Sequence, residues 1–190
     1  MSKEITKQSE TWPRPQPTLE TERLFLRPLA LSDAKELQSL AGDFTIADTT
    51  LNIAHPYPDG LAEEWISTHP AKYEQEESAT FAITLKDGGN LIGVVGLIST
   101  KRFRRGELGY WITKQFWNQG YATEAARSVV QFGFSQLVLH KIEATHLSRN
   151  PASGKVMKKL GFVQEGILRD HIIKWDRFED LVTYGLISAK

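Results

Sequence analysis

Along the chain, apolar residues switch between a period of two and a period of about three and a half, and the switches lay out the elements. Leu24 to Leu29 reads as a first strand, with Leu24 and Leu26 on one face and Phe25 on the other. Ser32 caps a short helix whose buried stripe is Leu37, Leu40 and Ala41, with Asp33 in its first turn. Residues 43–58, ending in Pro56 and Pro58, read as a loop region, and Asp59 to about Gln75 as a further helix with Leu61, Trp65 and Ile66 inward. Ala79, Phe81, Ile83 and Leu85 alternate with Thr80, Ala82, Thr84 and Lys86, a strand with one wet face. Asp87 to Asn90 forms a hairpin turn into a more fully buried strand from Leu91 to Ile98. After the basic loop Lys101 to Arg105, Glu107 to Ile112 is the next strand. Ala122, Ala125, Ala126, Val129, Val130, Gly133, Phe134 and Leu137 then fall on one helical face, which must pack on a sheet. A strand at Ile142 to Leu147, a helix at Pro151 to Leu160 capped by Asn150, a long strand at Phe162 to Trp175 and a closing strand at Asp180 to Ile187 complete the order. Strands mostly joined as hairpins, with helices between some of them, predict an α+β or mixed α/β sheet. Residues 1–18 are polar and end in Trp12, Pro13, Arg14, Pro15, Gln16 and Pro17, so they predict a flexible or strapped arm ahead of a single domain at 19–190.

Composition narrows the function classes. The chain has 190 residues, 41% hydrophobic and 24% charged, which are globular values. Lys plus Arg equals Asp plus Glu, 23 against 23, so no overall field draws the protein to nucleic acid or a membrane, and no direct nucleic-acid partner is expected. There is no cysteine, hence no disulfide framework and no thiolate site. His55, His69, His140, His146 and His171 have no ligand spacing, so no metal is expected. Without an apolar signal core or a bilayer-spanning run, the expectation is a soluble cytoplasmic protein.

The chemistry concentrates where the strand ending at Ile112 hands over to the long helix, at Trp117, Asn118, Gln119, Gly120, Tyr121, Ala122 and Thr123. A helix start offers unpartnered amides and the positive end of the macrodipole, so it holds an anion without a lysine or metal. Gly120 and Ala122 keep bulky side chains away from those amides. The Walker spacing fails, since Gly154 and Lys155 are followed by Val156, and so does the three-glycine dinucleotide fingerprint.

Trp117, Gly120 and Ala122 instead resemble the acetyl-CoA loop of the GNAT superfamily of N-acetyltransferases: Gln or Arg, two residues, Gly, one residue, then Gly or Ala. Trp117 stands in the first place and Asn118 where glycine is frequent. A Trp there, followed by Gly-Tyr-Ala-Thr-Glu-Ala, is similar to the ribosomal-protein-alanine N-acetyltransferase branch. A second motif agrees in order: Asn150, Pro151, Ala152, Ser153, then Leu160, Gly161 and Phe162. With the opening Glu22, Arg23, Leu24, Leu26, Arg27 and Pro28, the resemblance covers about residue 20 to the C-terminus.

That resemblance implies a mostly antiparallel sheet of about seven strands and about four helices, splayed into a V between the fourth and fifth strands. It also implies acetyl-CoA as co-substrate, its diphosphate on the backbone of Gln119 to Thr123 with Asn118 in the same loop, and Asn150 and Ser153 beside the pantetheine. The end of the preceding strand, at Trp111, Ile112 and Thr113, would supply main-chain contacts and an oxyanion donor. The reaction implied is acetyl transfer to a primary amine by direct attack in a ternary complex. Glu107 is the candidate base, because an amine attacks only when neutral; its ordinary alternative is a strand-end carboxylate paired with Arg105. Met157 stands where many relatives have a tyrosine, which leaves Ser153 as candidate acid or, in the plainer reading, a packing and capping residue. The acceptor the resemblance favours is a protein N-terminus, possible ribosomal partner included; a polyamine, an amino sugar, or no catalysis at all in an acyl-CoA-binding regulatory module are the alternatives, and a homodimer is compatible with each.

Overall fold

The computed structural model describes residues 12–189. Its strands are β1 (Leu19–Glu20), β2 (Leu24–Pro28), β3 (Ser78–Leu85), β4 (Leu91–Thr100), β5 (Arg105–Ile112), β6 (Lys141–Leu147), β7 (Val163–Lys174) and β8 (Arg177–Ile187). They form one sheet in the order β1-β2-β3-β4-β5-β6-β8-β7, antiparallel throughout except between β5 and β6. The helices are α1 (Ala34–Ala41), α2 (Phe44–Thr49), α3 (Leu61–Ser67), α4 (His69–Glu74), α5 (Tyr121–Ser135) and α6 (Pro151–Lys159). The mixed α/β sheet expected from the pattern is present. Among the described residues no helix is long and apolar enough to cross a membrane.

The parallel pair is the feature that makes room for a site. β5 and β6 pair only at Arg105↔Lys141, Gly106↔Ile142 and Glu107↔Glu143, and then part while both strands continue. The V therefore opens between the strands ending at Ile112 and Leu147.

Each sheet face carries its own core. On one, Phe81, Val95, Leu97 and Leu108 pack beneath Ala125, Ala126, Val129 and Phe132 of α5. Gly133 lets that helix sit close, since a Cβ there would stand 2.7 Å from Leu97 Cδ1. On the other face, Ala82, Leu91 and Val94 pack against Leu37 and Ala41 of α1 and Ala62 and Ile66 of α3. The start of α1 is fixed by Asp33, whose carboxylate takes both Arg27 guanidinium nitrogens at 2.7 Å and the Ala30 N–H at 2.8 Å.

Two expectations are corrected. Residues 43–58 are not all loop: Asp43 caps α2 by accepting the Thr45 N–H at 2.8 Å. The helix expected over 59–75 breaks into α3 and α4, because Pro70 in the first turn of α4 has no N–H to continue α3. Of the arm expected to be flexible or strapped, residues 12–18 pack on the domain. Trp12 is 6% exposed and tilts against Tyr73 at 5.3 Å, Tyr73 donates to the Pro13 carbonyl at 2.8 Å, and the Gln16 amide donates to the Thr80 carbonyl at 2.9 Å. Residues 1–11 lie outside the described residues. The strapping also engages the acidic end of α4: buried Glu76 accepts the Trp12 N–H at 3.2 Å and pairs with Lys101 at 2.5 Å.

At the α3–α4 break, His69 is buried edge-on against Trp65, with centroids 4.3 Å apart, and neither ring nitrogen has a hydrogen-bond partner among the described residues. Burial, and secondarily Lys72, push its pKa down to about 4 from the ordinary 6.5. Below 6.5 the unfolded chain takes up a proton that the folded chain refuses, so this group's stability contribution falls from there down to about 4. His69→Leu is expected to narrow the loss of stability between neutral and mildly acidic buffer, read by urea unfolding at about pH 7 and about pH 5. An unchanged gap would assign the acid sensitivity elsewhere.

Candidate active site

The main chain of β5 divides between its two neighbours by parity. The Thr113 N–H donates to the Ile92 carbonyl at 2.8 Å, and Trp111 lies opposite Val94. In an antiparallel ladder alternate residues bond to the same side, so Trp111 and Thr113 turn their main-chain groups to β4. Tyr110 and Ile112 turn theirs into the V, where β6 has already moved away. The Ile112 carbonyl is engaged by the Trp117 indole N–H at 2.5 Å, which leaves its amide facing the gap.

The loop into α5 makes two left-handed turns, at Asn118 (φ 62°) and Gly120 (φ 86°). Asparagine tolerates that region and glycine enters it without strain. Gly120 is the N-cap and brings no side chain to the amides of the first turn; the Glu124 N–H is the first to bond back, to the Gly120 carbonyl at 3.0 Å.

Arg23, from the opening motif, holds this loop in place. Its side chain donates to Glu124 Oε2 at 2.7 Å and to the Gln119 carbonyl at 3.1 Å, and its guanidinium lies 4.1 Å from the Tyr121 ring centroid. Glu124 also accepts the Thr21 hydroxyl at 2.6 Å and the Arg23 N–H at 2.8 Å. Burial acts to raise the Glu124 pKa, but these hydrogen bonds from Thr21 and Arg23 outweigh it and hold the carboxyl below its ordinary value. It stays ionised and keeps Arg23 fixed.

At the start of α6, Asn150 accepts the Ser153 N–H at 3.4 Å and donates to the Thr49 carbonyl at 3.2 Å. It is thus a helix cap, with one further N–H and one lone pair left over. The Tyr110 hydroxyl donates to the Ser153 carbonyl at 3.1 Å, which leaves its oxygen to accept from the Ser153 hydroxyl 2.9 Å away. Burial pushes the Tyr110 phenol up to about 12 against the opposing Ser153 hydrogen bond, so it remains protonated. Met157 is 1% exposed and belongs to the core beneath α5.

One cavity of about 830 Å³ joins these parts. It brings together Glu107, Trp111, Ile112, Asn118, Gly120, Tyr121, Ala122, Thr123, Asn150 and Ser153. Gln119 and Thr113 do not line it: the Gln119 side-chain amide donates to the Gln115 carbonyl at 2.9 Å, and Thr113, just after β5, is buried with its N–H bonded to β4. Glu107 is exposed toward the opening and is not the partner of Arg105, which pairs with Glu143 at 3.3 Å. Beside it, a Cβ added to Gly109 would meet nothing within 4 Å. There is room next to the carboxylate for an acyl group.

Two parts of the site escaped the sequence reading. Tyr110 was legible only through strand parity, one step out of phase with Glu107 and Gly109. The wall from Thr49 to Ala54 carries only the brief alternation of Leu51 and Ile53, too short to mark an element. It is tied down from a distance: Asp48 takes Arg149 Nη1 and the Trp175 indole N–H, both at 2.9 Å, and Lys174 donates to the Leu51 and Ile53 carbonyls at 3.3 and 3.4 Å.

Residues 23–163 match the model of the acetyltransferase (GNAT) domain. The uncharacterized N-acetyltransferase YoaA of Bacillus subtilis (strain 168) is 30% identical over 177 residues, covering 92% of this chain and 98% of that protein. The [ribosomal protein uS5]-alanine N-acetyltransferase of Escherichia coli (strain K12) is 25% identical over 137 residues, 71% of this chain and 70% of that one. In fold, the chain is similar to the microcin C7 self-immunity acetyltransferase MccE, solved with acetyl-CoA and AMP, at a TM-score of 0.79 and 21% identity over 88% of this chain and 93% of that one. With a domain match over most of its length and a full-length relative at this identity, the chain belongs to the acetyltransferase (GNAT) domain family and is an acyltransferase.

Proposed function

We propose that the protein is an acetyl-CoA-dependent N-acetyltransferase acting on a protein N-terminal α-amine of the ribosomal-protein-alanine kind. The observation that carries the reaction is the sharing of one cavity by a carboxylate outside any ion pair among the described residues, Glu107, and the uncapped helix start at Gly120 to Thr123. The acceptor class is supported by the name of the Escherichia coli relative, and a cytoplasmic setting goes with it, because ribosomal acceptors are met there.

In this reading acetyl-CoA supplies an activated acetyl group. The amides of Asn118 and Gly120 to Thr123 hold its diphosphate, and Asn150 and Ser153 flank the pantetheine. The acceptor nitrogen attacks the acyl carbon, Glu107 removes its proton, and the Ile112 N–H meets the developing oxyanion. As the carbon–sulfur bond breaks, the thiolate takes the proton of the Ser153 hydroxyl, and the proton that Glu107 removed from the amine returns to Ser153 through water, while Tyr110 holds Ser153 in place. No enzyme nucleophile is needed. That Glu107 and Ser153 both line the cavity weighs against the non-catalytic alternative.

Mass spectrometry of a peptide beginning with Ala and containing an internal lysine, incubated with protein and acetyl-CoA, tests the acceptor. Acetylation is expected at the α-amine. Modification of the lysine alone would contradict the N-terminal reading.

A further inference from the structure

The acceptor end of the cavity also carries information about what the amine is attached to. Alternation along β5 puts Glu107, Gly109 and Trp111 on the face that carries the core under α1 and α3. There the wall is aromatic and half-buried, with Tyr57, Trp65 and Trp111 all packed on that core. Glu107 is the one acidic side chain that lines the cavity among the described residues; the other charged liners, Lys155 and Lys159, are both cations on α6.

Four acidic groups outside the cavity lining are already engaged. Asp48 is held by Arg149 and Trp175, Glu179 accepts Arg149 Nε at 2.7 Å, Asp43 caps α2, and Asp59 accepts the Gln38 amide at 2.6 Å. Glu63 and Glu64 stand on the exposed side of α3 and do not line the cavity, although Glu63, after burial, helps to raise the pKa of the Tyr57 phenol.

Resting on the acetyl-transfer reading above, we propose that the part of the acceptor that enters the cavity carries a single positive charge, at the reacting amine, on an apolar body. One ammonium finds Glu107. A second would give up water with no other carboxylate lining the cavity to receive it among the described residues. An apolar group in the same place gains from burial. Polyamines and amino sugars are therefore disfavoured by charge count, independently of their shape.

The test is kcat/KM for the full chain with acetyl-CoA and four acceptors: phenethylamine, an amidated tetrapeptide beginning with an apolar residue, spermidine and kanamycin. At least one of the first two is expected to exceed both polycations by about a hundredfold, and the better of the two tells whether a small amine or a chain terminus is the source. Asn52, an exposed residue of the wall, allows a nearly isosteric gain of charge: Asn52→Asp is expected to raise the spermidine rate relative to the apolar acceptor by about tenfold. Preference for spermidine or kanamycin in the unaltered protein, or an unchanged ratio in Asn52→Asp, would overturn the proposal while leaving acetyl transfer standing. Calorimetric binding of acetyl-CoA with no transfer to any of the four would overturn both.

Discussion

Gly120→Val is expected to weaken acetyl-CoA binding about a hundredfold, because it removes several charge-assisted contacts at once. Gly120 sits at φ 86°, where a β-branched residue is strained, and a Cβ there would already be 3.4 Å from the Arg23 guanidinium. Valine would put its methyl groups over the amides of Tyr121 and Ala122 and press on the cation that fixes the loop. The core beneath α5 is not touched, so thermal unfolding should shift by only the few degrees that a local strain of about 1–2 kcal/mol produces. Isothermal calorimetry reads the affinity and a melting curve the fold. Unaltered affinity in a folded variant would remove the helix start from the binding site.

Glu107→Gln is expected to lower kcat by about a hundredfold to a thousandfold with little change in acetyl-CoA affinity. The amide fills the same space but does not accept the amine proton, and Glu107 lies on β5 away from the loop that grips the diphosphate. The shape of the pH–rate profile should change as well, since the acceptor amine, titrating near 8, would then have to lose its proton to water. A variant with wild-type kcat and profile would leave Glu107 a solvated strand-end carboxylate. Steady-state assays across a pH series, with acceptor saturating, separate the outcomes.

How much of this was legible in the sequence depended on whether the signal was local. The helix α5 was plain because its stripe from Ala122 to Gly133 follows one period, and the anion loop because small residues at Gly120 and Ala122 precede it. The V between β5 and β6 came only with the family resemblance; no residue in either strand announces where pairing stops. The helix α2 was invisible for a different reason. Its cap, Asp43, is local, but the contact that seats it, Asp48 with Arg149, spans 101 residues. The break at Pro70 could have been read from the proline alone. At Trp12 the surrounding prolines do not distinguish a flexible arm from a strapped one; its indole is in the core and its main-chain N–H meets a carboxylate 64 residues away.

In the site itself, residue types were read more easily than the direction their main chains face. Trp111, Ile112 and Thr113 are consecutive, yet the register with β4 turns only Ile112 of the three into the gap. Tyr110 was passed over for a related reason, since its contact with Ser153 exists only once α6 is folded across the end of the V.

A crystal structure of the protein with CoA bound tests the central claim most directly. The account expects the diphosphate against the main-chain amides between Asn118 and Thr123, with the sulfur reaching into the gap beside Ile112. Diphosphate density bound anywhere else, with that turn unoccupied, would contradict it.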